Sequence, residues 1–188
     1  MSLKKVFSLF LVICTVFCFS SCASKTQESN KVLVTMENGK AFTIETAPQY
    51  APETVANFIS LVESDFYDGL TFHRIIDDFV AQGGDPKGNG TGGSDKKIKG
   101  EFSANGFTQN TLKHTRGVVS MARSQAMDSA SSQFFICYDD VPHLDGQYAA
   151  FGQVIEGMEA VDEFLNTERD ASGMPKTPIV IKSMEILD

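Results

Sequence analysis

The sequence predicts a mainly β fold, a closed or nearly closed antiparallel barrel with α-helices over its ends. Three observations carry that reading. Short β-rich runs recur between Gly-, Asp- and Ser-rich loops, only two segments have helical period, and the folded region opens on a hairpin and closes on an alternating strand. With 188 residues, 42% hydrophobic and 21% charged, the chain can bury one real core and is short for two.

Taken in order, the N-terminus stands apart from the rest. Lys4 and Lys5 precede the apolar run Val6 to Phe19, and the small residues of "SSCAS" follow, the three-part layout of an export segment. The run is shorter than the roughly 20 residues that a membrane-crossing helix needs. "FSSC" resembles the bacterial lipobox, although Leu is preferred where Phe19 stands, and this makes Cys22 the expected site of lipidation. The expected organisation is therefore a lipoprotein signal peptide over 1–21, a polar tether over 22–30 and the folded domain over 31–188. Its expected location is outside the cytoplasm, held to the bacterial cell envelope by lipid. Cys14 and Cys18 leave with the signal, so Cys137 is the one thiol within the domain, and no internal disulfide is expected. Set in "QFFIC", Cys137 reads as a small buried hydrophobe.

"KVLVTM" and "AFTIET" flank "ENGK", and Asn-Gly between two β-rich runs signals a hairpin. In "APETVANFISLVESD", Val55, Phe58, Ile59 and Val62 recur at i, i+3, i+4 and i+7, with Pro52 and Glu53 suited to a first helical turn. A second helix is predicted in "GMEAVDEFLN", where Met158, Val161 and Leu165 share a face. "LTFHRII", "GVVSMA", "SQFFIC" and "AAFGQVI" read as strands between the helices, and "PIVIKSMEIL" closes the chain.

Composition and motifs exclude several function classes. Net charge is −8, falling to −10 once Lys4 and Lys5 are removed, and with no basic run nucleic acid is not an expected partner. "GNGTGG" matches G-x-G-x-x-G in letters only, because Pro86 precedes it and no helical period follows; it reads as a loop. His73, His114 and His143 are scattered without metal-ligand spacing, so no metal or other cofactor is expected. Ser120 and Ser132 lack a G-x-S-x-G elbow, which argues against a serine hydrolase. What stands out is Arg74, an arginine amid apolar neighbours in "FHRIIDDFVAQGGDP" with no carboxylate immediately beside it.

"FHRII" with "QGGDP", "GVVSMAR", "SASSQFFIC", "LDGQYAAFGQV" and "GMEAVD" resemble, in order and spacing, the cyclophilin-type peptidyl-prolyl cis-trans isomerases. The resemblance runs from Lys31 to Asp188. It implies an eight-stranded antiparallel barrel capped by two helices, and an enzyme that speeds X-Pro rotation in exported proteins and so assists their folding. The alternative is a non-catalytic module of the cell envelope that binds proline-containing peptides. By resemblance Arg74 is the catalytic arginine and Gln82 the side chain that orients it. Phe79, Val80, Phe135 and Leu144 wall the proline pocket with Tyr148 at its rim; Ala122, Arg123 and Gln133 hold the substrate backbone, and Met121 and His143 complete the binding set. Expected partners are proline-containing polypeptides and, through Cys22, a lipid bilayer; the protein is expected to be a monomer.

The sequence departs from the family pattern at a few positions. Asp77-Asp78 replaces the usual Pro-Gly and adds negative charge near the groove, which favours cationic substrates. Val80 stands where Met is commoner, Arg123 where Asn is common, and Tyr148 where His is common. His143 replaces the tryptophan of cyclosporin-sensitive members, removing an indole N–H and a large apolar face, so weak cyclosporin binding is expected.

Overall fold

The structure, a computed structural model, describes residues 29–187. The expected signal segment, Cys22 and nearly all of the tether lie outside the described residues. Asn30, at the end of the expected tether, already docks on the domain: its N–H bonds to Thr46 Oγ1 at 2.9 Å and its carbonyl accepts from Thr46 N at 2.9 Å.

Eight antiparallel strands close a barrel. They are β1 (Lys31–Met36), β2 (Ala41–Thr46), β3 (Thr71–Ile75), β4 (Val80–Gly83), β5 (Val118–Met121), β6 (Phe134–Cys137), β7 (Ala150–Glu156) and β8 (Ile179–Leu187). Around the barrel they run β1-β2-β7-β5-β6-β4-β3-β8, so the first and last strands meet. The predicted hairpin forms β1 and β2, with Gly39 at φ +82° in the turn, where a side chain would be strained. Val32, Val34 and Met36 alternate inward, as do Phe42, Ile44 and Thr46.

Helix α1 (Pro52–Glu63) lays Val55, Phe58 and Val62 on the barrel. Ala51 at its N-cap offers no side-chain acceptor, so the free N–H groups of the first turn need a partner from elsewhere. Glu101 supplies it from a loop distant in sequence. Its buried carboxylate accepts from Glu53 N at 3.0 Å, Thr54 N at 2.8 Å and Thr54 Oγ1 at 2.7 Å, and a negative charge at that helix end is favoured by the helix dipole. Beneath α1, Phe58 packs on Tyr67, Phe134 and Phe151 at 5.5, 5.8 and 4.9 Å between ring centres. The Tyr67 hydroxyl bonds to Ser132 O at 3.0 Å, and burial pushes its pKa far up, so it stays a donor.

Two elements differ from what periodicity suggested. The run "VAQG" had not read as a strand, being four residues long with a central glutamine and a glycine at its end; register between β3 and β6 makes it β4. The second helix starts after Gly157, left-handed at φ +75°, but α2 covers only Met158–Asp162 before tightening to a 3₁₀ turn over Glu163–Asn166. That tightening buries Phe164, while Met158 and Leu165 are only partly covered. Cys137 is fully buried, and burial pushes its thiol up to about 12, so it behaves as the small hydrophobe expected.

Candidate active site

The barrel register brings three polar and apolar side chains into a row. Arg74 on β3 is paired with Gln82 on β4, and Gln82 with Phe135 on β6. Because side chains alternate along a strand, partners in register point to the same face. His73, next to Arg74, points the other way and is buried, as alternation predicts. Burial lowers its pKa, and the charge of Asp85 only partly offsets this, so it is neutral.

On the outer face these residues line a cleft of about 220 Å³ with Phe79, Val80, Ala122, Arg123, Leu144 and Tyr148. Its floor is a small apolar cluster separate from the barrel core, made of Val80, Phe135, Cys137, Val141 and Leu144, with Phe79, Ala122 and Tyr148 packed against it. Tyr148 meets Phe135 edge to face at 5.8 Å, and His143 stacks on Phe79 at 5.7 Å, bordering the cleft from outside. The Arg74 guanidinium lies 5.8 Å from the centre of the Phe79 ring. Asp77 is neutralised by Arg169 at 2.8 Å; Asp78 takes the left-handed conformation, φ 56°, that suits the family's glycine.

A hydrogen-bond relay runs from the arginine into the neighbouring loop. Arg74 Nη1 lies 3.5 Å from Gln82 Oε1, and Gln82 Nε2 donates to Gln133 Oε1 at 2.9 Å. Gln133 Nε2 in turn donates to the carbonyls of Gly90 and Gly92 at 3.1 and 2.7 Å. That loop is itself a folded turn around the buried Asp85, whose carboxylate accepts from the N–H groups of Lys87, Asn89 and Gly90. Burial alone would raise the pKa of Asp85, yet these backbone donors outweigh it and hold the group below the usual carboxylate range. The "GNGTGG" segment therefore has a job in the fold: its carbonyls fix Gln133.

Below the cleft, His114 stacks on the far side of Phe135 at 6.0 Å. Its ring nitrogens reach Asp145 and Ser120, each at 3.0 Å. Burial lowers the pKa of His114 more than the Asp145 hydrogen bond raises it. Ser120 is fully buried, so this Ser-His-Asp array supports the pocket floor from inside. No spacing in the sequence announces it.

Of the sequence-derived set, Arg74, Phe79, Val80, Gln82, Ala122, Arg123, Phe135, Leu144 and Tyr148 meet in one cleft, with Gln133 and His143 at its edges. Met121 lies elsewhere: its side chain is buried in the main barrel core. The Arg123 guanidinium is engaged with protein, bonding Gln147 O and Ser124 O.

The comparisons with known proteins agree with this geometry. The family model for cyclophilin type peptidyl-prolyl cis-trans isomerase/CLD matches residues 31–186. A peptidyl-prolyl cis-trans isomerase of Helicobacter pylori is 45% identical over 123 residues, 64% of this chain and 72% of that one. Peptidyl-prolyl cis-trans isomerase B of Bacillus subtilis is 45% identical over 131 residues, 70% of this chain and 87% of that one. Among solved structures, a cyclophilin type isomerase of Cryptosporidium parvum superposes with a TM-score of 0.77 at 32% identity, covering 86% of this chain and 99% of its own. The same protein has been crystallised in the presence of the dipeptide Ala-Pro, and that structure superposes with a TM-score of 0.75. Barrel topology, the groove on its outer face and the match along nearly the whole described domain lead to one conclusion: the chain belongs to the cyclophilin-type peptidyl-prolyl cis-trans isomerases.

Proposed function

We propose that this isomerase acts on X-Pro bonds of exported polypeptides, with Arg74 as the group that favours the twisted amide. Rotation about X-Pro must break amide resonance, a barrier of about 18–20 kcal/mol. Raising a rate of about 10⁻² to about 10³ per second takes roughly 7 kcal/mol. No covalent bond forms or breaks. As the amide twists, the proline nitrogen regains a lone pair that the planar state lacks, and a guanidinium N–H can donate to it in the twisted state only. One charge-assisted hydrogen bond contributes about 1.5–3 kcal/mol. The remainder falls to Phe79, Val80, Phe135 and Leu144, which grip the ring away from water, and to Ala122 and Gln133, which carry the flanking backbone.

The observation that carries this reading is the placement of Arg74. Its guanidinium faces an apolar cleft and is aimed by Gln82, with no carboxylate among its polar contacts. Its working partner is the substrate. The test is the exchange between cis and trans NMR signals of an Ala-Pro peptide, with wild type and with Arg74→Ala. Wild type should accelerate exchange, and Arg74→Ala should lose about tenfold to a hundredfold while keeping a native spectrum. A folded Arg74→Ala protein with full turnover would overturn this role.

Export and anchoring rest on Lys4, Lys5, the apolar run after them and "FSSC". The reading places the enzyme on the envelope through acylated Cys22, where newly exported chains still hold unsettled X-Pro bonds. Mass analysis of the mature N-terminus is the test: a diacylglyceryl group on Cys22 supports it, and an unmodified N-terminus elsewhere sinks it.

A further inference from the structure

We propose that Arg123 is a positioning residue that works through Tyr148, its guanidinium serving as a clamp behind the groove wall and making no contact with substrate. The inference rests on the isomerase reading of the cleft. All three guanidinium nitrogens are already engaged within the protein. Nε and Nη2 donate to Gln147 O at 3.1 and 2.9 Å, and Nη1 donates to Ser124 O at 2.9 Å and Gln125 O at 3.4 Å. The flat cation also sits between two rings, with its carbon 4.7 Å from the centre of Tyr148 and 5.0 Å from that of Phe102.

These contacts join three loops that meet nowhere in sequence. Phe102 is fully buried in the barrel core, packed on all sides, so it acts as the fixed side of the clamp. The carbonyl of Gln147 anchors the backbone immediately before Tyr148. One step earlier, Gly146 O accepts from Ala104 N at 2.9 Å, which ties the same loop to the Phe102 segment. Tyr148 is thereby pressed edge to face on Phe135, where both rings line the cleft. A lysine could place a charge here but lacks the planar fork that spans the carbonyls of Gln147, Ser124 and Gln125 while stacking on both rings.

A wall residue touches the planar and the twisted substrate alike, so loosening it should weaken binding of both. Arg123→Gln is therefore expected to raise KM about threefold to tenfold with kcat little changed, unlike Arg74→Ala, whose loss should fall on kcat. Tyr148→Leu should raise KM by a similar factor. The double variant should be no worse than Tyr148→Leu alone, because the clamp then has nothing to hold.

The experiment is this cycle on an Ala-Pro peptide, with ring carbons of tyrosine labelled so that Tyr148 can be followed directly. Arg123→Gln should move the Tyr148 signals and leave those of Tyr67 and Tyr138 in place; Arg123→Lys should move them less and raise KM less. Independent, multiplying losses in the double variant would overturn the clamp and make Arg123 a direct substrate contact. So would unmoved Tyr148 signals in a folded variant, full rescue by lysine, or unfolding of both Arg123 variants. Wild-type turnover and its dependence on Arg74 test the isomerase reading separately.

Discussion

Gln82 gives its amide N–H to Gln133 and turns its amide oxygen toward Arg74, 2.9 Å on one side and 3.5 Å on the other. The orientation is forced, because Gln133 spends its own N–H groups on Gly90 and Gly92 and offers only an acceptor to Gln82. Gln82→Ala should therefore leave the fold intact and free the guanidinium to swing. We expect about a tenfold fall in kcat from two lost hydrogen bonds of about 0.5–1.5 kcal/mol each. NMR exchange rates check this, and an unchanged kcat would detach the relay from catalysis.

Glu101 caps a helix that its own sequence leaves uncapped. Glu101→Ala strands the buried N–H and hydroxyl of Thr54 and the part-buried N–H of Glu53, and should cost about 2–4 kcal/mol. A fall in the urea midpoint at constant slope is the expected signature. Catalytic constants per folded molecule should not move, since α1 lies away from the cleft.

Stability should fall on acidification in two separate windows. His73 and His114 both have pKa values lowered by burial from 6.5, so the unfolded chain binds protons more readily. The stability they contribute is complete above 6.5 and is lost as pH drops through that value toward their lower folded pKa. Asp85 and Asp145 are held below 3.8, despite burial, by hydrogen bonds from backbone N–H groups and, for Asp145, from His114 and Lys113. Their contribution is complete above 3.8 and is lost below it. Thermal melts from pH 8 to 3 should show a first decline below 6.5 that Phe at position 73 (His73→Phe) shallows. Over pH 6.5–8 kcat should stay flat, because the proposed step moves no proton; a bell-shaped profile there would count against it.

Cyclosporin should bind weakly. His143 covers Phe79 by stacking, but it offers a smaller face than the tryptophan of sensitive relatives and no indole N–H. Titration calorimetry should find no tight complex, and His143→Trp should strengthen binding at least severalfold. Tight binding by the wild type would show that the edge of the cleft is reached differently.

Much of this was legible in one dimension. Asn38-Gly39 fixed the hairpin, the i, i+3, i+4, i+7 stripe of Val55, Phe58, Ile59 and Val62 fixed α1, and alternation placed His73 and Arg74 on opposite sides of β3. These are local signals. What escaped depends on contacts between distant segments. Strand β4 is held by its two neighbours, and no propensity in "VAQG" announces it. Gln82 meets Gln133 only because β4 and β6 are in register, and Arg123 finds Tyr148 and Phe102 only once three loops have closed. Met121 went to the core for the same reason that the pattern was right around it: its neighbours alternate, and its turn pointed inward.

The seam of the barrel joins Lys31 to Leu187, the first strand to the last. A cylinder zipped along that line cannot shut until its eighth strand is free to pair on both sides. Until then β1 and β3 each present an open edge. The barrel cannot close before β8 has paired, and a form in which β8 is still loose would be the one most exposed to proteases and to pairing with its own kind.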